Sequence, residues 1–261
     1  ALAPVAVLAL RLEHGLPLED VACLAGKTVL FAGNSISRGI YFTLAALLED
    51  GEDFNESTAF WRDRLAQKQL CRSGPLGLLS CKHHVETLGT TLVSAMVQRL
   101  ETLEEQLEKA ERKIKPDIVV IEVGLDHICL QSELDGDGLH SFERNMDKEF
   151  DTLTRQLAQI HLHSDTHFVW RPVSHFNQSA AWDPNWKNEW VNLWNQRLHK
   201  HFEESGFLQF NWFKWYEHSA ELIDLALARK DGWGMEDWVH PDSATMARLV
   251  RDLVLSLCIR Q

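Results

Sequence analysis

The stretch Lys27-Thr28-Val29-Leu30-Phe31-Ala32-Gly33-Asn34-Ser35-Ile36-Ser37-Arg38-Gly39 decides the fold. Its first six residues are apolar and β-rich, and they read as a buried strand. Residues 36–48 then repeat apolar side chains at helical spacing (Ile40, Leu44, Leu47, Leu48), so a helix follows. Ser35 falls at the junction. A serine there offers an exposed hydroxyl and a helix N-terminus whose free N–H groups suit an oxyanion. The bland reading of the same residue is a helix cap.

Working outward, strands alternate with helices. Pro116 ends a helix expected over 92–115, whose Leu100, Leu103 and Leu107 form the apolar side and whose Glu/Lys remainder is a solvated face. Asp117-Ile118-Val119-Val120-Ile121-Glu122-Val123 is a second buried strand, 140–161 a helix, and Thr166-His167-Phe168-Val169-Trp170 a third strand. Asp183 and Pro184 start a helix that runs to Glu204 and is stopped by Gly206. Phe207-Leu208-Gln209-Phe210 reads as a fourth strand, followed by helices over 220–228 and 243–258. Residues 51–91 read as an irregular insertion with one short strand over 84–88. The alternation predicts an α/β fold of three layers, α/β/α, around a central, mostly parallel sheet, with active groups at the strand C-terminal ends. Length fits one domain over 1–261.

At 45% apolar and 25% charged residues, the composition is ordinary for a globular chain. A net charge of −12 argues against nucleic acid as a partner, because phosphate binding needs basic patches. Residues 1–10 are apolar but too short to span a bilayer, and they fit either the remnant of a signal or anchor segment or a buried helix. No other stretch suits an integral membrane span. Cys71 and Cys81 flank a turn-rich segment and fit either a short disulfide loop or two thiols, while Cys23, Cys129 and Cys258 read as core. Asn55-Glu56-Ser57 and Asn177-Gln178-Ser179 match the glycosylation pattern. These features tilt towards a secretory or extracellular compartment over the cytoplasm. Nothing in the sequence sets an oligomeric state.

The second chemical motif is Asp237-Trp238-Val239-His240. It supplies a base and an orienting carboxylate on one turn, and with Ser35 it makes a Ser…Asp…His order. Together these blocks resemble the SGNH (GDSL-type) hydrolases, whose nucleophile lies in Gly-Asp-Ser and whose last block is Asp-x-x-His. Arg38, three residues after the serine, is similar to the Gly-Asp-Ser-x-x-Arg form of the PC-esterase branch, which includes sialate O-acetyltransferases and plant wall-polysaccharide acetyltransferases. The resemblance implies an SGNH-like, flavodoxin-like sheet and a catalytic triad of Ser35, Asp237 and His240. It also implies oxyanion donors at Ser35 and, more loosely, at Gly89, and a third-strand block at Gly124-Leu125-Asp126-His127. Two positions depart from the pattern. Asn34 replaces the aspartate before the nucleophile, and Asp126 stands where an asparagine donor is usual.

The expected activity is serine-dependent ester hydrolysis or O-acyl transfer on a small-molecule or glycan ester, an O-acetylated glycan included, without cofactor or metal. The alternative is a catalytically impaired binding protein on the same scaffold, favoured by Asn34 and Asp126. A phosphate-binding reading lacks the Gly-rich loop and its Lys. Arg38 holds the serine turn, meets a polar substrate, or forms a surface ion pair; His175, at the end of a strand, is a substrate-contact candidate. The histidines at 83, 84, 161, 163 and 167 lack zinc-enzyme spacing and read as solvated or core. Trp182, Trp186, Trp190 and Trp194 recur every four residues, a stripe that reads as packing or as an aromatic platform for a sugar ring or acyl chain; Trp233 and Trp238, which flank the presumed base, are the better candidates for substrate contact.

Overall fold

A computed structural model describes residues 21–49, 71, 74–76, 80–97, 99–125, 128, 138–177, 187–228 and 240–258. Strand β1 (Thr28–Gly33) leads into helix α1 (Ser35–Glu49). A hairpin β2 (Ser80–Val85) and β3 (Thr90–Met96) follows, then α2 (Leu100–Lys113), β4 (Ile118–Glu122) and α3 (Gly138–Ser164). The chain continues through β5 (His167–Trp170), α4 (Asn188–Glu204), β6 (Phe213–Trp215), α5 (His218–Leu227) and α6 (Ser243–Cys258). The strands form one sheet in the order β2-β3-β1-β4-β5-β6, with only β2 antiparallel.

Burial explains the order. Val29 to Ala32 and Ile118 to Ile121 are buried on both faces, which suits central parallel strands covered by helices. β2 instead turns Lys82 and His84 outward, a fitting pattern for an edge. α1 packs on β1 and β3, and α6 packs on α1 and α5. α2 packs on β1 and against α3, which in turn meets α4. The result is three layers, as the alternation of elements leads one to expect.

Some boundaries differ from the sequence expectation. Residues 92–96 belong to β3 rather than to a helix starting at 92, because a short apolar run carries no decisive period and β1 offers a ladder from Thr91 to Met96. The edge strand covers 80–85 rather than 84–88, and it is bonded to β3 rather than lying in an irregular insertion. Phe207–Gln209 is a 3-10 turn after Gly206, which takes the left-handed conformation (φ 77°); the strand comes later, where Phe213 pairs with Phe168. α4 starts at Asn188 after Lys187; Asp183 and Pro184 lie outside the described residues. Two disulfides are present. Cys71–Cys81 closes the short loop, and Cys23–Cys258, both read as core thiols, instead joins the segment before β1 to the end of α6. Cys129 and both glycosylation serines, with Asn55, lie outside the described residues. Among the described residues no helix is long and apolar enough to cross a membrane.

Candidate active site

β1 delivers Ser35 to the sheet's C-terminal edge, and Asn34 sets the turn. The Asn34 side-chain oxygen accepts the N–H groups of Ile36 (2.9 Å) and Ser37 (3.5 Å), while its carbonyl accepts that of Arg38 (3.2 Å). This is an asparagine N-cap, formed by Oδ1, which an aspartate would also provide. It uses the first-turn donors except that of Ser35, whose N–H has no hydrogen-bond partner among the described residues. Gly33 is required by close approach: a Cβ there would fall 2.3 Å from Ser37 Oγ and 2.6 Å from the Glu122 carbonyl oxygen.

The decisive contact joins residues 205 positions apart. His240 Nε2 lies 2.7 Å from Ser35 Oγ, with both side chains partly buried. With Nε2 unprotonated, the hydroxyl donates to it, the arrangement that general-base activation of a serine requires. His240 is held at the entry to α6, where Asp242 Oδ1 accepts the Thr245 N–H (2.9 Å) and caps the helix. Each half of the pair thus stands beside an Asx residue capping a helix. Asp237, Trp238, Trp233 and Asp126 lie outside the described residues.

Gly124 follows β4 at the same sheet edge as Ser35. Its φ of 142° and its surroundings both demand glycine, since a Cβ would fall 2.3 Å from Trp194 Nε1 and 2.9 Å from Val173 Cγ2. Its carbonyl accepts the Ile128 N–H at 2.9 Å. Arg38 lies half-buried on α1, one turn beyond the serine. Gly89 does not join them. It sits in the turn before β3, against Gly26, and Gly26 N–H donates to the Leu88 carbonyl at 2.9 Å. β3 runs parallel to β1, so that turn lies at the N-terminal edge. The six residues of β1 separate it from Ser35 by roughly 20 Å at about 3.3 Å per residue. The expectation for Gly89 as an oxyanion donor is therefore corrected.

His175 is at the expected edge but is engaged within the protein. Its Nδ1 meets Asp224 Oδ1 at 2.8 Å and its Nε2 meets Asn192 Oδ1 at 2.7 Å. The Asp224 hydrogen bond raises its pKa above the ordinary histidine value against the opposing effect of burial, with help from Asn192. A cationic ring donating from both nitrogens fits this pair of oxygens, and neither nitrogen is left for substrate. Trp194 is a core residue edge-on to Phe150, as the packing stripe requires, whereas Trp182 and Trp186 lie outside the described residues. His161 stacks on Trp212, and no cluster of metal ligands occurs among the described residues.

Four residues escaped the sequence reading. Behind the serine turn, Ser37 Oγ donates to Glu122 Oε2 (3.0 Å), which also accepts from Arg171 Nη1 (2.8 Å). Arg171 Nε and Nη2 donate to Ser219 Oγ at 3.0 and 2.7 Å. Glu122, Arg171 and Ser219 are fully buried. The available signal was a charged residue closing each of two apolar strands.

No family model and no curated protein matches the chain. Among solved structures it is similar to a catalytic mutant of an acetylxylan esterase from Geobacillus stearothermophilus, at 16% identity over 89% of this chain and 94% of that one, with a TM-score of 0.49. It is also similar to a GDSL-like lipase from Bacteroides thetaiotaomicron, at 14% identity over 88% of each chain and a TM-score of 0.48. A member of the lipolytic G-D-S-L family from Veillonella parvula shares 12% identity over 90% of this chain and 99% of that one, with a TM-score of 0.47. Likeness at these values carries no functional argument; the Ser35–His240 geometry carries it instead.

Proposed function

We propose that this chain is a serine-dependent ester hydrolase or O-acyltransferase of the SGNH type, acting through a single α/β domain on an acyl ester of a hydroxylated substrate, an O-acetylated glycan among them. The observation that carries the reading is the 2.7 Å contact between Ser35 Oγ at the mouth of α1 and His240 Nε2.

In the proposed reaction His240 Nε2 takes the Ser35 proton as Oγ attacks the ester carbonyl. Asp237, three residues before His240, is assigned to orient the imidazole and steady its positive charge. The developing oxyanion is received by the Ser35 N–H, which the Asn34 cap leaves available. Gly124, at the neighbouring strand end, and Asp126, two residues further in sequence, are assigned to the substrate side of that hole, a role in which Asp126 would donate only when protonated. His240 then protonates the leaving alkoxide, and the acyl group remains on Ser35. Water completes a hydrolase cycle and a sugar hydroxyl a transferase cycle. Arg38 and Trp238 are assigned to the rim that meets the alcohol portion.

The test is hydrolysis of p-nitrophenyl acetate and longer esters, together with labelling by a fluorophosphonate. Wild-type protein should turn over ester or take the label, and Ser35→Ala should do neither. A wild-type protein that stays unlabelled and inactive would point to the binding-scaffold alternative.

A further inference from the structure

The buried charges behind the serine turn have an unusual cost. Glu122 and Arg171 are both fully buried, and a pair this deep gains little net stability over apolar residues of similar volume. Its geometry, however, is committed to the nucleophile. Glu122 closes β4 beside Gly33 of β1, directly before the serine turn. All of its side-chain hydrogen bonding among the described residues is on Oε2, shared by Ser37 and Arg171; Oε1 has none. Ser37 is in the first turn of α1, two residues after Ser35. Gly33 leaves out the one atom, a Cβ, that would collide with this Ser37 hydroxyl.

The other end of the network lies on the helix packed against the one that follows the base. Arg171 extends the β5 ladder by donating its N–H to the Ile121 carbonyl at 2.7 Å, and its guanidinium grips Ser219 at the start of α5. α5 packs on α6, and α6 begins three residues after His240. One rigid chain of charge-assisted hydrogen bonds thus touches the nucleophile helix and the helix that supports the base's own.

We infer that Ser37, Glu122, Arg171 and Ser219 form a positioning relay that fixes Ser35 relative to His240. The inference rests on the serine-hydrolase reading. None of the four touches the reacting atoms; they act through the orientation of α1 and α5.

The relay predicts an effect on rate that exceeds the effect on stability. The measurement is the second-order rate of fluorophosphonate labelling at Ser35, taken beside the melting temperature of each variant. Ser37→Ala removes one hydroxyl and leaves the Glu122–Arg171 pair intact. Labelling should slow by roughly tenfold or more, since misplacement of about 1 Å costs up to about a hundredfold. With p-nitrophenyl acetate the loss should fall on kcat and leave KM unchanged. Ser219→Ala, at the far end, should slow labelling less, and the double variant should be no slower than Ser37→Ala alone, because both interrupt one path. Ser219→Ala also decides the matter should Ser37→Ala fail to fold. Variants that melt lower but label at the wild-type rate would overturn the relay while leaving the serine-hydrolase reading intact. Wild-type protein without Ser35-dependent labelling would overturn that reading and the relay with it.

Discussion

At the residue scale, the site is two capped helix entries brought together. Asn34 caps α1 and Asp242 caps α6, so Ser35 and His240 are each placed by local backbone chemistry as well as by the sheet. The cap at α6 can be tested without touching the reacting atoms. Asp242→Ala removes the acceptor of the Thr245 N–H and a favourable charge at a helix N-terminus, a loss of about 1 kcal/mol. The melting temperature should fall by roughly 2–4 °C on the scale of a chain this long, whereas Asp242→Asn keeps the cap and should stay near wild type. Equal melting of Ala and Asn variants would show that the cap contributes nothing. The pairing of Ser35 with His240 was legible because each lies in a short motif of its own. Glu122 and Arg171 were not, because each is one charged residue at the end of an apolar run. Only the neighbouring of β4 and β5, which no local pattern encodes, makes them partners.

At the element scale, strands with continuous apolar runs were easy to read and short mixed ones were not. β1 and β4 are buried along their length, so composition alone marked them. β3 merged into the helix after it because no Gly or Pro separates Met96 from Leu100, and β6 hid among aromatics that also build the Phe207–Gln209 turn. Gly89 was misplaced for the same reason: with β3 unread, its turn could not be assigned to the opposite edge. His175 shows what the elements do together. From the loop after β5 it ties Asn192 of α4, on one face of the sheet, to Asp224 of α5, on the other. Its pKa is raised in the fold, so the stability it contributes is full below the unfolded value near 6.5 and is lost as pH rises through the folded value. His167, whose pKa burial lowers, acts in the opposite sense, so the His175 contribution must be isolated by mutation. Melting temperature followed from pH 6 to 9 should fall more steeply in wild type than in Asp224→Asn. Parallel curves would remove the assignment.

At the scale of the whole molecule, the two disulfides differ in what they constrain. Cys71–Cys81 closes a separation of 10 residues beside the β2 edge, and Cys23–Cys258 closes one of 235, nearly the whole described chain. In the chain-entropy account, such closures restrict the unfolded ensemble by about 3 and about 5 kcal/mol. The long closure also has a structural consequence. It pins the end of α6 to the turn that feeds β1, so the helix that starts just after His240 and the strand that ends just before Ser35 share one covalent anchor. Bonds of this kind persist where oxidants keep thiols paired. Neither cysteine of the long pair was read as bonded, because a separation of this size leaves no spacing signal and both lie in apolar context. Replacing both Cys23 and Cys258 with serine should lower the melting temperature more than replacing both Cys71 and Cys81. It should also slow fluorophosphonate labelling at temperatures where the variant is still folded, because α6 loses its anchor. If the two double variants melt alike, the entropic ranking fails; if the Cys23/Cys258 variant labels at the wild-type rate, α6 holds His240 by packing alone.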